Sequence, residues 1–262
     1  MGFSLAPEAA AAGYGLVAHE TIGSTNADAM ARLRRGERDP VWIVSRQQSA
    51  GRGRRGASWI SPPGNLHASL ALTIDVEPAV AATLGFVAGV ALTRALKHCC
   101  SAADLSLKWP NDVLAGEAKL AGILLETEVV GEARAVAVGI GANVTQSPEG
   151  LPYRTASLAA FGAAVTAEEL FGRLSAEWVR AYAEWDRGRG FGAIRAAWLL
   201  HAAGLGQPIS VALGAERVAG TFETVDEHGR LVLRHPDGTS TTVSAGEVHF
   251  GSAASVRREA AA

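Results

Sequence analysis

The sequence predicts an α+β fold: a mixed, largely antiparallel sheet packed with helices, followed by a small β-barrel. Three observations carry this. Residues 105–144 read as successive strands joined by short turns, the connectivity of antiparallel pairing. Two stretches, 79–100 and the run that opens at Thr166, have helical character and supply a packing layer. The composition shifts near Gly204, after which five short strands crowd into about fifty residues, the spacing of a small barrel. The expected domains are 1–205 and 206–262, with 252–262 as a frayed tail.

Taken in order, residues 16–20 form the first expected strand. Ser24 or Thr25 then caps a helix carrying Ala29, Met30 and Leu33. Residues 41–46 are a second strand, and 47–64 are a long loop rich in glycine and proline with no apolar period. Leu66, Ala68, Leu70, Leu72 and Ile74 alternate as in a half-buried strand. Residues 105–108, 113–114, 119–130 and 135–144 are further strands, the middle pair joined as a hairpin through 115–117. Residues 146–156 are a loop. Thr166 and Glu169 make a capping box, and Leu170, Leu174, Trp178, Tyr182 and Trp185 fall on one helical face. A second helix spans roughly 191–201. The barrel strands are 209–213, 217–225, 231–234, 239–244 and 248–250.

Composition narrows the function. Of the 262 residues, 48% are apolar and 19% charged, enough to bury a sizeable core and too apolar for a disordered chain. The net charge of −2 excludes a general polyanion binder, so any basic site is local. Only Lys97, Lys108 and Lys119 are lysines and every other basic residue is arginine, which asks what needs an ammonium at 108 and 119. Cys99 and Cys100 are adjacent, an arrangement that favours two reduced thiols in a cytoplasmic protein. No secretory signal is visible. The longest apolar run, 79–93, reads as a buried helix too short to span a bilayer.

Four segments could carry chemistry. Gly51-Arg52-Gly53-Arg54-Arg55-Gly56 matches GxGxxG, with Asp75 about twenty residues on. The glycines of a dinucleotide site must open a helix, and Ser58-Trp59-Ile60-Ser61-Pro62-Pro63-Gly64 is not one. A phosphate-binding P-loop fails for want of a closing Gly-Lys-Ser/Thr. A solvated basic loop and an arginine–glycine nucleic-acid contact stay open beside the sharper reading, a loop that closes on an anion. Arginine forks suit phosphate oxygens, and glycine lets backbone N–H groups approach.

The second segment is Lys108-Trp109-Pro110-Asn111-Asp112 with Lys119-Leu120-Ala121-Gly122, two cations and a carboxamide–carboxylate pair at strand ends. Taken alone, Lys119 reads as an exposed strand lysine, Asp112 as a turn-former and Trp109 as core. The third is Gly139-Ile140-Gly141-Ala142-Asn143-Val144, where glycines allow close ligand approach or simply end a strand. The fourth is Ser24-Thr25-Asn26, a helix cap whose side chains or first-turn N–H groups can bind a polar ligand.

Together, Ser24-Thr25-Asn26, Gln48 four residues before Arg52, GRGRRG, KWPND, KLAG and the GIGxN-like run resemble the biotin–protein ligases in order and spacing. The resemblance covers nearly the whole chain. It implies a catalytic domain like that of class II aminoacyl-tRNA synthetases and an SH3-like C-terminal barrel. It implies a short, monofunctional form without a DNA-binding domain, hence no DNA partner; the short apolar run sets aside a membrane partner. The implied activity makes biotinyl-5′-AMP from biotin and ATP, with Mg2+ on the triphosphate. The biotinyl group then passes to a lysine of the carrier domain of a biotin-dependent carboxylase such as acetyl-CoA carboxylase. Some relatives pair through their central sheets, so a homodimer is a further implied partner.

By the same resemblance, Lys119, Asp112 and Arg54 are catalytic. Ser24, Thr25, Asn26, Gln48, Arg52, Gly53, Arg54, Lys119 and Gly122 hold biotin. Arg52, Arg54, Trp59, Asn111, Lys119 and Asn143 hold ATP, with Mg2+ near Asn143. Ala118 stands where many relatives have a basic residue, which removes one nearby positive charge. Two rivals remain: a lipoate- or octanoate-handling ligase or transferase of the same fold, and a non-catalytic biotin-binding module. The first wants a run of three glycines and a following histidine at the binding loop, which this chain lacks. The second has no use for both Lys119 and Asp112.

Overall fold

The computed structural model describes residues 2–131, 133–214 and 216–250, so the expected tail at 252–262 lies outside it. A short helix, α1 (Pro7–Ala11), comes first; it was not expected from the sequence, and Pro7 at its start is suited to the first helical turn. Strand β1 (Gly15–Ile22), helix α2 (Thr25–Arg34) and strand β2 (Val41–Gln48) form a crossover, so β1 and β2 pair parallel. Strand β3 (Leu66–Ile74) returns antiparallel to β2. Helices α3 (Pro78–Ala82) and α4 (Leu84–Cys99) replace the single helix expected over 79–100 and meet at Thr83. Strands β4 (Leu105–Lys108), β5 (Asp112–Ala115), β6 (Ala118–Val130) and β7 (Ala133–Ala142) follow as antiparallel neighbours. The seven strands lie in the order β1-β2-β3-β7-β6-β5-β4, and every adjacent pair except β1/β2 is antiparallel. The expected mixed, largely antiparallel sheet is therefore the observed one.

Alternation on β2 assigns the two faces. Trp42 and Val44 join the large core with Phe171 and Trp178, while Ile43 points the other way to Ala29, Met30 and Leu33 of α2. Helices α5 (Ala167–Trp185) and α6 (Phe191–Leu199) pack with α4 on the large-core side. The Thr166–Glu169 capping box forms as the sequence predicts. Being covered on both faces, β3 is buried at every position but Thr73, rather than half-buried as its alternation suggested. Residues 78–99 form a run long and apolar enough to cross a membrane by length and composition, longer than the 79–93 read from sequence. In this fold 72% of its most apolar window is buried among the sheet and α5, the position of a core helix.

The C-terminal strands are β8 (Pro208–Leu213), β9 (Glu216–Val225), β10 (Leu231–Arg234), β11 (Ser240–Val243) and β12 (Glu247–Phe250). They form one antiparallel sheet in the order β11-β10-β9-β8-β12, the arrangement of an SH3-like barrel. Trp109, 2% exposed, donates from Nε1 to the Gly229 carbonyl at 3.1 Å and ties the β4–β5 turn to this sheet.

Candidate active site

The sheet face that carries α2 opens toward the C-terminal strands in a cavity of about 470 Å3. That size suits a small organic ligand. The cavity brings together Ser24, Thr25, Asn26, Gln48, Arg52, Gly53, Arg54, Trp59, Asn111, Asp112, Lys119 and Gly122, twelve of the thirteen residues expected from sequence.

The helix start supplies the first wall. Ser24 is extended (φ −155°) and its Oγ accepts from Ala27 N at 3.4 Å, so the cap forms. Thr25 donates to Gln48 Oε1 from both its backbone N (2.8 Å) and its hydroxyl (3.1 Å). Gln48 in turn donates to Ser61 Oγ at 2.9 Å. Ser69 Oγ stands 2.8 Å from Thr25 Oγ1 and 2.6 Å from Asn26 Oδ1, while Asn26 Nδ2 donates to Glu126 Oε2 at 2.8 Å. Helix start, β2, β3 and β6 are thus one hydrogen-bonded polar network, buried at Thr25, Asn26 and Ser69 and partly exposed at Gln48 and Glu126.

The glycines of β6 and β7 form the floor. Gly122 and Gly141 are register partners. A Cβ at Gly141 would overlap the Trp59 ring, and one at Gly122 would stand 3.2 Å from Trp59 Cζ3. A Cβ at Gly139 would overlap Asn26 Oδ1. These glycines are required by close side-chain approach rather than by a turn.

The arginine segment lies in the loop read from sequence and is folded back on itself. Gly53 N donates to Ala57 O (2.7 Å) and Trp59 N to Gly51 O (2.9 Å), making a miniature hairpin that lies over the cavity. Its tip puts Arg55 at φ 55° and Gly56 at φ 77°, both left-handed. Arg54 Nη1 donates to Asn111 Oδ1 at 3.0 Å and approaches Gly246 O at 3.4 Å. Burial, with Arg55 adding to it, pushes the Arg54 pKa down. Arg52 pairs with Glu126 at 3.2 Å.

Lys119 and Asp112 are brought together by a β-bulge. Lys119 pairs with Leu114 and Ala121 with Val113, so Leu120 is the extra residue. The insertion turns Lys119 to the same side as Gly122, where a Cβ would meet Lys119 Nζ at 3.4 Å. Lys119 Nζ stands 2.8 Å from Asp112 Oδ1 and lies 5.6 Å from the Trp59 ring and 5.5 Å from Tyr153.

Asn143 is the thirteenth residue and is not among those that line the cavity. Its side chain is 2% exposed; Nδ2 donates to Ala156 O at 3.0 Å and Oδ1 faces Asn65 Nδ2 at 3.4 Å. It is consumed in pinning the 143–146 and 154–156 segments. No cluster of three or more His, Cys, Asp or Glu suited to a metal occurs among the described residues. A magnesium ion that arrives on a triphosphate needs no such cage, and Asp112, Glu117 and Glu247 are the carboxylates facing the cavity.

Sequence reading missed several residues. Ser69 and Glu126 were visible as polar interruptions of apolar strands. The β12 residues Glu247, Val248, His249 and Phe250, which close the cavity, carry no local signal. Lys108 was singled out but given no role; it lies in the cavity with Nζ 5.5 Å from the Phe250 ring, and burial pushes its pKa down.

A loop of arginines over a lysine–aspartate pair, seated on one sheet with a closing barrel, is the layout of a protein ligase of the biotin and lipoate kind. Residues 21–143 match the biotin/lipoate A/B protein ligase family, and 204–251 match the biotin protein ligase C-terminal domain. The chain is 42% identical over 236 residues to a biotin–[acetyl-CoA-carboxylase] ligase of Paracoccus denitrificans, covering 87% of this chain and 97% of that one. It is 34% identical to the enzyme of that name from Mycobacterium tuberculosis, over 86% and 85% of the two chains. The biotin protein ligase of Aquifex aeolicus, solved with biotin and ATP, shares the fold with a TM-score of 0.75 at 24% identity, over 91% and 99% of the chains. The chain belongs to the biotin–protein ligase family.

Proposed function

We propose that this protein is an ATP-dependent biotin–protein ligase that forms biotinyl-5′-AMP and transfers biotin to a lysine of a carboxylase carrier domain. The observation that carries this is the convergence of Arg52, Arg54, Lys119 and Asp112 on one cavity. In the first step a biotin carboxylate oxygen attacks the α-phosphorus, and the bond to pyrophosphate breaks. Two anions about 4 Å apart repel by roughly 4 kcal/mol at an effective dielectric near 20. Lys119 opposes that repulsion by bridging carboxylate and α-phosphate, a task for a compact point charge. Arg52 and Arg54 hold the phosphates and the carboxylate end of biotin. Gly53 and Gly122 allow close approach, and Ser24, Thr25, Asn26 and Gln48 line the pocket for the ureido ring.

In the second step the carrier amine attacks the anhydride carbonyl, the bond to AMP breaks, and the amine gives up a proton. Asp112 orients that amine and accepts the proton. Its Oδ1 stands 2.8 Å from Lys119 Nζ, so the carboxylate sits beside the ammonium that bridges the first step. Trp59 covers the intermediate against water. Asn111 holds Arg54 at the ATP end of the cavity, and Asn143 steadies the adjoining 143–146 and 154–156 segments on the same side. Mg2+ enters bound to ATP. We further read 1–205 as the catalytic domain and 206–262 as the barrel domain. Two free thiols and dependence on ATP support a cytoplasmic location. The unpaired outer edge of β1 is the candidate seam of a homodimer.

The test is incubation with labelled biotin, ATP and a carrier domain. Label in the carrier supports the ligase. Binding without turnover supports a biotin-binding module, and preference for lipoate or octanoate supports the rival transferase.

A further inference from the structure

We infer that Glu126 is a positioning residue that couples the pocket wall to the arginine segment. The inference rests on the ligase reading only for what Arg52 finally holds. Glu126 sits on β6 and divides its two oxygens between the halves of the site. Oε2 accepts from Asn26 Nδ2 at 2.8 Å; Oε1 accepts from Arg52 Nη1 at 3.2 Å. The first contact commits one Asn26 N–H, and Leu124 O lies 3.4 Å from the same nitrogen. The amide is thereby turned so that Oδ1 faces Ser69 at 2.6 Å. Asn26 therefore acts through the wall it holds more than through donors of its own.

The second contact uses only Nη1 of Arg52. A guanidinium has five N–H donors, so the fork is held in direction while most of its donors stay open. A carboxylate at this place pre-orients the arginine for an anion instead of neutralising it by enclosure. The pair is half-exposed (53% and 31%), so it is weak and sensitive to salt. A weak latch suits a segment that must open for ligand and close on it.

The neighbouring contacts do not replace this one. Arg54 is fastened to Asn111 and the Gly246 carbonyl, on the far side of the hairpin, and neither is a carboxylate. Losing Glu126 frees the Arg52 limb while leaving the Arg54 limb attached.

The test reads loop opening and catalysis separately. Trypsin cleavage after Arg54 and Arg55 is measured in the ligand-free protein, normalised to a small peptide substrate. Glu126→Gln should accelerate it about threefold, the size of an exposed ion pair. Raising sodium chloride to about 0.5 M should accelerate cleavage of the unaltered protein and leave Glu126→Gln unchanged. In turnover, Glu126→Gln should raise KM for biotin about fivefold with kcat within about twofold, the pattern of lost positioning. Arg52→Ala should act alike, and the double variant should be no worse than Arg52→Ala. Salt-independent cleavage of the unaltered protein, or additive effects in the double variant, would overturn the inference. The salt arm needs no variant, so misfolding of Glu126→Gln leaves it decisive. An unaltered protein that fails to biotinylate any carrier refutes the ligase reading, and the cleavage arms still judge the latch.

Discussion

Lys119 Nζ stands 2.8 Å from Asp112 Oδ1, and the two residues lie on neighbouring strands whose register is shifted by the bulge at Leu120. The ammonium and the carboxylate form one ion pair in the cavity wall, with side chains only 19% and 18% exposed. Separate roles in the two half-reactions follow.

Lys119→Ala should reduce pyrophosphate release at least about 100-fold, the scale of removing one preorganised charge from a transition state. Asp112→Ala should form adenylate within a few-fold of normal and slow transfer to the carrier. Single-turnover assays of each half-reaction separate the two. Pyrophosphate release by Lys119→Ala at the normal rate would defeat the charge-bridging argument.

The glycine floor makes a steric prediction. Gly141→Ala places a methyl group in the Trp59 ring, and Gly139→Ala places one in the Asn26 carboxamide. Neither neighbour can yield without giving up its place over the cavity. Both variants should fold, since the strands are otherwise well packed, and should weaken biotin binding by at least about tenfold, the worth of 1–2 kcal/mol of lost fit. Calorimetric titration checks this; tight binding by Gly141→Ala would show that Trp59 moves aside freely.

A pH dependence arises from His67, which is 1% exposed on β3 and donates from Nε2 to Pro62 O at 3.3 Å. Burial holds its pKa below the ordinary 6.5, with the Pro62 contact opposing. The unfolded chain therefore takes up the proton first as pH falls. The stability that goes with neutral His67 is present above about 6.5 and is lost as pH falls from there toward the folded-state value. Urea midpoints between about pH 5.5 and 7.5 should fall with acid, and His67→Gln should flatten the slope. His201 and His249 shift the same way but are less enclosed, so the variant isolates His67. An unchanged slope in His67→Gln would remove His67 as the source.

Much of this was legible because local chemistry and tertiary use agree. Ser24 caps α2 and Thr166–Glu169 boxes α5 as their sequences dictate. The hairpin at 115–117 and the barrel strands fall within a residue or two of their turn signals. Other features depend on distant partners. The bulge at Leu120 comes from strand pairing, which leaves no mark in KLAG. Asn143 sits in the expected motif but is captured by Asn65 and Ala156, residues far away in sequence or in a loop without pattern. The β12 wall of the cavity follows from how the barrel docks, set by Trp109 and Gly229 at a separation of 120 residues.

That docking contact gives the last prediction. The Trp109 indole fills the junction between the β4–β5 turn and the barrel, and its only N–H goes to the Gly229 carbonyl. Gly229, at φ 78°, also lies against the Phe86 ring, where a Cβ would overlap Cε2. Trp109→Phe keeps an aromatic in the cavity wall but removes the donor and some volume, a loss of about 1–3 kcal/mol. In a chain this size each kcal/mol lowers Tm by about 2–4 °C. The barrel would also be held less firmly, and β12 carries Phe250 against Lys108 while the Gly246 carbonyl faces Arg54. Trp109→Phe should therefore raise KM for ATP more than KM for biotin, whose ureido end is lined by Ser24, Thr25, Asn26 and Gln48 at the start of α2 and the end of β2. Equal changes in both, or a lowered Tm with kinetics untouched, would mean that the junction serves folding alone.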